Sequence, residues 1–371
     1  MDFGVMFFSS VDRAGAAKYD LLLRAARFAD THDFSCVWTP ERHFHPFGGL
    51  FPNPAVTSAA LATITSRTQL RAGSLISPLH HAVRIAEDWS VVDNLSGGRV
   101  AISFGSGWNV NDFVFFPDRY QTRQQVMFEQ IELVRQLWRG DRVVQTNSFG
   151  KEVEIAIYPK PVQPELPIWV TSSGNVETFK SAGKVGAHVL THLIGQDPGQ
   201  LAGKIAAYRQ AWDAAGHAGR GTVSLMLHTF MGARLDDVRA TVYTPFREYL
   251  RSALSLEQLA AVGGGAISGG HKIAPQDLPA DMVEDLLDVT FERYFEGGSL
   301  MGTVATCEPI VQRLIDAGVD EAACLVDFGA GDTDAVLASL DVVNELRDGF
   351  STRRLQASAE DALRQFAQPL E

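Results

Sequence analysis

The chain has 371 residues, 46% of them hydrophobic, and a formal net charge of −12 at pH 7. Its length allows two domains, and it also suits one α/β barrel with insertions. The acidic balance, without a basic run, argues against a phosphate-backbone partner, and no apolar run approaches the roughly 18 residues of a membrane span.

Strand-like and helix-like stretches alternate along the chain. Phe3–Phe8 is a short apolar run without a basic leader, so it reads as a first strand rather than a signal peptide. Lys18–His32 carries Leu22, Ala25, Ala26 and Ala29 at helical spacing. Ser35–Trp38 is a second strand, Ala55–Thr65 a helix and Leu70–Ile76 a third strand. Ala82–Leu95 is a helix stopped by Ser96-Gly97-Gly98, where glycine supplies a left-handed cap. Val100–Phe104 is a fourth strand, and Gln121–Trp138 a long amphipathic helix.

Residues 141–165 break this rhythm with two β-rich stretches and a proline run, the pattern of a hairpin insertion. Alternation then resumes with strands at Ile168–Thr171, His188–Thr191, Val223–Met231 and Ala322–Val326. Helices are expected at Val176–Val185, Gly199–Ala215, Leu235–Ala253, Cys307–Ala317 and Thr333–Arg347. The Gly-rich stretch 254–303 reads as an irregular, lid-like excursion. The total is eight strands with helices between them, which favours a (β/α)8 TIM barrel with insertions after strand four and strand seven. Residues 1–350 are then one domain and 351–371 a tail. Cys36, Cys307 and Cys324 are widely spaced, as in a cytoplasmic protein with reduced thiols and no zinc-type pairing.

Polar residues gather where strands end. Glu41-Arg42-His43-Phe44-His45 follows strand two, where a histidine can act as a base or orient a ligand, or simply be satisfied by backbone. The pair His43 and His45, with His192, His228 and Asp327 further on, raises a metal-dependent hydrolase reading. Amidohydrolase-type barrels set such a pair after strand one, however, and no lysine or carboxylate to bridge two metals stands after strand four here, so no metal is expected. Of His80-His81, adjacent side chains diverge, so at most one faces the site. Thr171-Ser172-Ser173-Gly174-Asn175, before a helix, suits a phosphate or is an ordinary cap. Gly105-Ser106-Gly107-Trp108 ends strand four, where small residues let a flat ring approach, and Arg123 beyond it is a phosphate ligand or a surface arginine.

In order and spacing these pieces resemble the bacterial luciferase-like flavin monooxygenase family. The resemblance covers roughly residues 1–345 and is densest over Val37–Trp138. It rests on ERHF-x-x-FG, NP-x-V, P-L-x-H-x-V-R-x-A-E-D, D-x-L-S-G-G-R, GSGWNVNDF with Arg123 downstream, and IWVTSSG. The chain looks most similar to the natural-product branch, whose members often act beside acyl or peptidyl carrier proteins.

The resemblance implies a TIM barrel that binds FMN at the C-terminal ends of its strands. Arg123, Thr171, Ser172, Ser173 and Gly174 match phosphate-binding segments, and Ser103 and Gly105 match the segment along the flavin edge. Ser74 and Leu75 match the stretch beneath the ring, where relatives often hold a non-proline cis peptide. His43 becomes the candidate for moving a proton in the reaction, with Arg42 or His45 holding a carboxylate, thioester carbonyl or phosphopantetheine group. The chain has no G-x-G-x-x-G nicotinamide motif, which implies a separate flavin reductase supplying reduced FMN, with O2 as co-substrate. A homodimer is expected by the same resemblance.

Luciferases proper carry two adjacent histidines where this chain has Arg42-His43, a thiol at Gly105 and an arginine at Ser106. Arg42 cannot act as a base, its pKa staying above about 12. Hydroxylation or oxygen insertion is therefore expected instead of light emission. The competing readings are a deazaflavin-dependent dehydrogenase on the same barrel, the metal-dependent hydrolase, and a non-catalytic flavin-binding barrel.

Overall fold

The computed structural model describes residues 1–8, 18–262 and 280–366. The chain begins with β1 (Asp2–Met6), α1 (Asp20–Thr31), β2 (Cys36–Thr39), α2 (Pro54–Ala62), β3 (Gln69–Ile76), α3 (Ala82–Ser96), β4 (Val100–Gly105) and α4 (Arg123–Arg139). An antiparallel hairpin follows, β5 (Val143–Thr146) and β6 (Glu152–Ile155). Then come β7 (Ile168–Thr171), α5 (Val176–Lys184), β8 (His188–His192), α6 (Pro198–Ala214), β9 (Val223–Met231) and α7 (Leu235–Val262). The last elements are α8 (Ala280–Arg293), β10 (Leu300–Gly302), α9 (Val304–Asp316), β11 (Glu321–Leu325) and α10 (Thr333–Phe366).

Eight of these strands close into an all-parallel ring in the order β1-β2-β3-β4-β7-β8-β9-β11. Closure is made by β1 on β11, Asp2 opposite Glu321 through Met6 opposite Leu325, and by β8 on β9. The expected (β/α)8 barrel is the observed fold. Its strands read as near-continuous apolar runs because both of their faces are covered, by helices outside and by packed side chains inside. The helices carry one apolar stripe each: α1 buries Leu21, Leu22, Ala25, Ala26 and Ala29 against the sheet. Their ends follow local chemistry. Asn53 accepts from the Ala55 and Val56 amides to start α2, and Gly97, at φ 69°, ends α3 in the left-handed region.

The lower barrel is filled by an ion pair rather than by hydrocarbon alone. Arg71 of β3 reaches Glu321 of β11 at 2.8 Å, and its guanidinium lies between Trp38 (4.8 Å) and Trp169 (4.3 Å). Ser35 and Ser224 hydroxyls also donate to Glu321, and the Trp169 indole donates to Ser224. A buried charge pair survives because its remaining valences are met in this way. All three cysteines are free and buried, and burial pushes the Cys307 and Cys324 thiols up to about 12.

The stretch 254–303 differs from the irregular excursion that the sequence predicts. Within its described part, α7 continues to Val262, α8 is a regular helix, and β10 adds to the end of β9 outside the ring. Leu287 and Phe291, four residues apart, turn the buried side of α8 inward. The glycine-rich core of that stretch, 263–279, lies outside the described residues. Residues 351–366 continue α10 as helix. Among the described residues no helix is long and apolar enough to cross a membrane.

Candidate active site at the C-terminal ends of the strands

Three hydroxyls from three neighbouring strands converge. Ser103 of β4 is 2.7 Å from the Thr171 hydroxyl of β7, and Ser74 of β3 makes a short hydrogen bond to the same oxygen. Ser74 reaches it from a bulge in β3 that contains the cis peptide Gly73–Ser74. Leu75, next in the chain, is buried and points into the helix-side core. Gly105 ends β4 beside this cluster; a Cβ there would lie 3.3 Å from Ser74 Cβ. Four of the residues expected at the flavin, Ser74, Ser103, Gly105 and Thr171, therefore meet in one place.

The turn after β7 continues this surface. Among the described residues the N–H groups of Ser173 and Gly174 make no hydrogen bond, whereas Ser172 N–H bonds Leu190. Asn175 caps α5 through Glu177 N–H, so the free amides face out ahead of a helix N-terminus. Lys204 of α6 adds a cation: its Nζ would stand 3.1 Å from a Cβ at Gly174, whose φ of +104° favours glycine. Lys204 is held by Gln196 Oε1 at 2.6 Å, and it is not singled out by sequence. Arg123, the arginine expected here, makes its hydrogen bonds within its own segment. It donates to the carbonyls of Gly107 (2.9 Å) and Tyr120 (2.7 Å) and lies on the Tyr120 ring, pinning the 107–120 loop to α4. None of these hydrogen bonds reaches Thr171–Gly174.

The loop after β2 is organised by Glu41, which is 4% exposed. Its carboxylate accepts from His43 Nε2 (2.9 Å), His80 Nε2 (2.6 Å) and the Ile76 amide (2.6 Å). Burial raises its pKa, but the hydrogen bonds from His43 and His80 outweigh burial and hold it below the usual range. Each histidine turns Nε2 to the same carboxylate oxygen, which leaves Nδ1 on the side away from Glu41. The sequence flags the His80-His81 pair without dividing it: His80 turns to Glu41, while His81 caps α3 through Val83 N–H. The His80 carbonyl is clamped by Arg119 (2.6 Å) and Gln130 (2.9 Å).

Arg42 and His45 lie on the other side of this loop. The Arg42 guanidinium covers the Phe8 ring at 3.8 Å, and burial lowers its pKa. His45 Nδ1 accepts from Phe47 N–H, and burial, then Arg42, lowers its pKa, so the ring is neutral. Overhead, the GSGWNVNDF loop brings in Asp112. Burial raises its carboxyl to about 6, with His43 and Arg42 pulling it down and Glu41 pushing it up. Asn109 holds this carboxylate at 2.8 Å. Gly107, at φ +77°, lets the loop pass; a Cβ there would fall 2.7 Å from Ile76 Cγ2.

The metal ligands considered from sequence do not converge. His43 and His45 serve Glu41 and Phe47 respectively, and Asp327 accepts from the Phe8 amide. His192 accepts from Ile194 N–H, and burial lowers its pKa to about 4. His228 is lowered by burial, then by His192, to about 3 and is ringed by Phe246, Tyr249, Tyr294 and Phe328. Among the described residues no three His, Cys, Asp or Glu side chains form a metal-binding group.

A family model described as luciferase-like monooxygenase matches residues 1–321. The chain is 25% identical over 228 residues to the oxygenase component of a flavin-dependent trigonelline monooxygenase from Acinetobacter baylyi, 60% of this chain and 61% of that one. It is 27% identical over 228 residues to an F420-dependent hydroxymycolic acid dehydrogenase from Mycobacterium tuberculosis, with the same coverage of 60% and 61%. It thus spans about three fifths of the length of these relatives. The crystal structure of monooxygenase RslO1 from Streptomyces bottropensis superposes with a TM-score of 0.76 at 23% identity, covering 93% of this chain and 98% of that one, a likeness of fold. With the family match spanning most of the sequence and the closed parallel barrel beneath it, the chain belongs to the luciferase-like monooxygenase family.

Proposed function

We propose that the chain is the oxygenase of a two-component flavin monooxygenase. It would use reduced FMN from a separate reductase, and O2, to hydroxylate or insert oxygen into an organic substrate, free or held on a carrier protein. The observation that carries this reading is the continuous polar strip Ser74–Ser103–Thr171, which runs on into the free amides of Ser173 and Gly174 beside Lys204. These groups fit FMN: hydroxyls for the edge of the ring system, and amides with one ammonium for a phosphate. When bound, FMN supplies the oxygen-transfer chemistry.

The chain's own residues orient, enclose and move protons. His43, with Nε2 on Glu41, offers Nδ1 to accept a proton at the reacting oxygen or return one. Phe115, whose ring packs edge-on to His43 at 5.1 Å, together with Trp108 on the same loop, would exclude water from the site.

A second reading keeps the barrel but uses deazaflavin F420 for hydride transfer; the mycobacterial relative is named as an F420-dependent dehydrogenase. The two part on cofactor and oxygen. The protein is titrated with FMN and with F420, followed by fluorescence, and oxygen uptake is measured with a flavin reductase and NADH. Tight FMN binding and oxygen uptake above the reductase alone are expected. Preference for F420 without oxygen uptake would replace the monooxygenase with the dehydrogenase. His43→Ala is expected to keep FMN affinity and lose coupled turnover; full turnover removes His43 from the reaction.

A further inference from the structure

Resting on that reading, the structure assigns Arg42 as the anchor of a planar, conjugated oxyanion, so that the substrate is an aromatic carboxylate or an enolised vinylogous acid. Arg42 is half-buried, yet among the described residues its guanidinium makes no hydrogen bond and no ion pair. Five donors in a fixed fork are rarely left idle in such a place. Its contacts are flat hydrocarbon, Phe8 at 3.8 Å and Phe47 at 5.6 Å.

Tyr249, Asp112 and Asp327 act on Arg42 through space, and the neighbouring carboxylates bond elsewhere. Glu41 is taken by His43, His80 and the Ile76 amide. Asp112 accepts from Asn109, and Asp327 accepts from the Phe8 amide at 3.0 and 3.2 Å. Arg42 is thus a cation that burial disfavours and that the fold leaves open to contact.

The surrounding walls narrow the ligand further. Phe47 meets Phe8 edge-on at 6.3 Å and Tyr249 at 5.3 Å, and Tyr249 stacks on Phe246 at 5.7 Å. A forked cation beside aromatic faces pairs with a delocalised oxyanion in the plane of a ring. His45, with Nδ1 bonded to Phe47 N–H, carries its proton on Nε2 as a further donor. A cationic ligand would be repelled by Arg42, and an aliphatic neutral one would leave its donors unmet.

The test uses the full chain and four probes: naphthoate and its neutral amide, and the hydroxyquinone lawsone, ionised at neutral pH, with its methyl ether. Binding is measured by calorimetry without flavin. At least one anion is expected to bind on the order of tenfold more tightly than its neutral partner. Arg42→Met, which keeps the stem over Phe8, should erase that preference, and Arg42→Lys should restore only part of it because it cannot fork. Naphthoate alone, or lawsone alone, identifies the carboxylate or the enolised acid. Equal binding of anions and neutrals, no binding of either anion, or an unchanged preference in Arg42→Met with a wild-type melting curve overturns the assignment. If Arg42→Met melts early, Arg42→Lys carries the comparison. FMN affinity is measured in parallel: wild type that binds the anions but no FMN sinks the cofactor reading and leaves the Arg42 site standing.

Discussion

Replacing Glu41 by glutamine keeps shape and removes one charge. Three donors converge on the carboxylate, at 2.6, 2.6 and 2.9 Å. Moving each from a charged to a neutral acceptor costs about 1 kcal/mol, and the new amide N–H2 faces donors, leaving one unmet at about 1–3 kcal/mol. Against this, a buried charge is no longer desolvated, which returns part of the loss. A net destabilisation of about 3 kcal/mol follows. For 371 residues the melting entropy is about 0.8 kcal/mol/K, which puts the Tm of Glu41→Gln about 4 °C below wild type at neutral pH. The folded pKa of Glu41 is depressed, so its stabilisation is present above the unfolded carboxylate range and is lost as pH falls through the folded value. The Tm gap between the two proteins must therefore shrink in acid. Scanning calorimetry from neutral pH down to about pH 2, well below the unfolded carboxylate range of about 4.3, decides it. A gap independent of pH, or none at neutral pH, would refute the reasoning.

Three further perturbations test other parts of the molecule. Asp112, pushed up to about 6 by burial, costs stability that grows as pH rises from the unfolded value through about 6. Asp112→Asn should therefore melt above wild type at alkaline pH and level with it below about pH 4; a variant that melts no higher at alkaline pH removes the burial cost assigned to Asp112. Lys204→Met should weaken FMN on the order of tenfold while leaving riboflavin, which lacks the phosphate, unchanged; equal loss for both moves Lys204 away from the phosphate. Arg71→Met strands Glu321 inside the barrel and should cost about 3–5 kcal/mol in denaturant melts, and Arg71→Met with Glu321→Gln should cost less than Arg71→Met alone. If the double variant loses the sum of the two single losses, the ion pair is not the coupling.

The barrel was legible because its strands are buried on both faces: IWV, VLT and AACL are runs that no half-exposed strand would tolerate. The regular helix α8 was not, because the glycines before it set the composition of the stretch while its inward face rests on few residues, Leu287 and Phe291. At the site, the meeting of Ser74, Ser103 and Thr171 was expected only through the family's resemblance, since these residues are 97 and 68 positions from their partner along the chain. Periodicity assigns a residue to a face and says nothing about which strands become neighbours. Arg123 shows the converse limit. Its place at the start of α4 is conspicuous in sequence, yet the carbonyls of Gly107 and Tyr120 bind its guanidinium first. The role of Glu41 was hidden because its second histidine lies 39 residues away, behind a strand and a turn.

One oxygen of Glu41 receives both histidines, His43 at 2.9 Å and His80 at 2.6 Å. The two rings thereby share a single acceptor, and His80 makes the shorter bond. His80 is in turn steadied by Arg119 and Gln130 through its carbonyl. A substitution at Arg119 or Gln130 would thus reach His43 only through His80 and the one oxygen the two rings share.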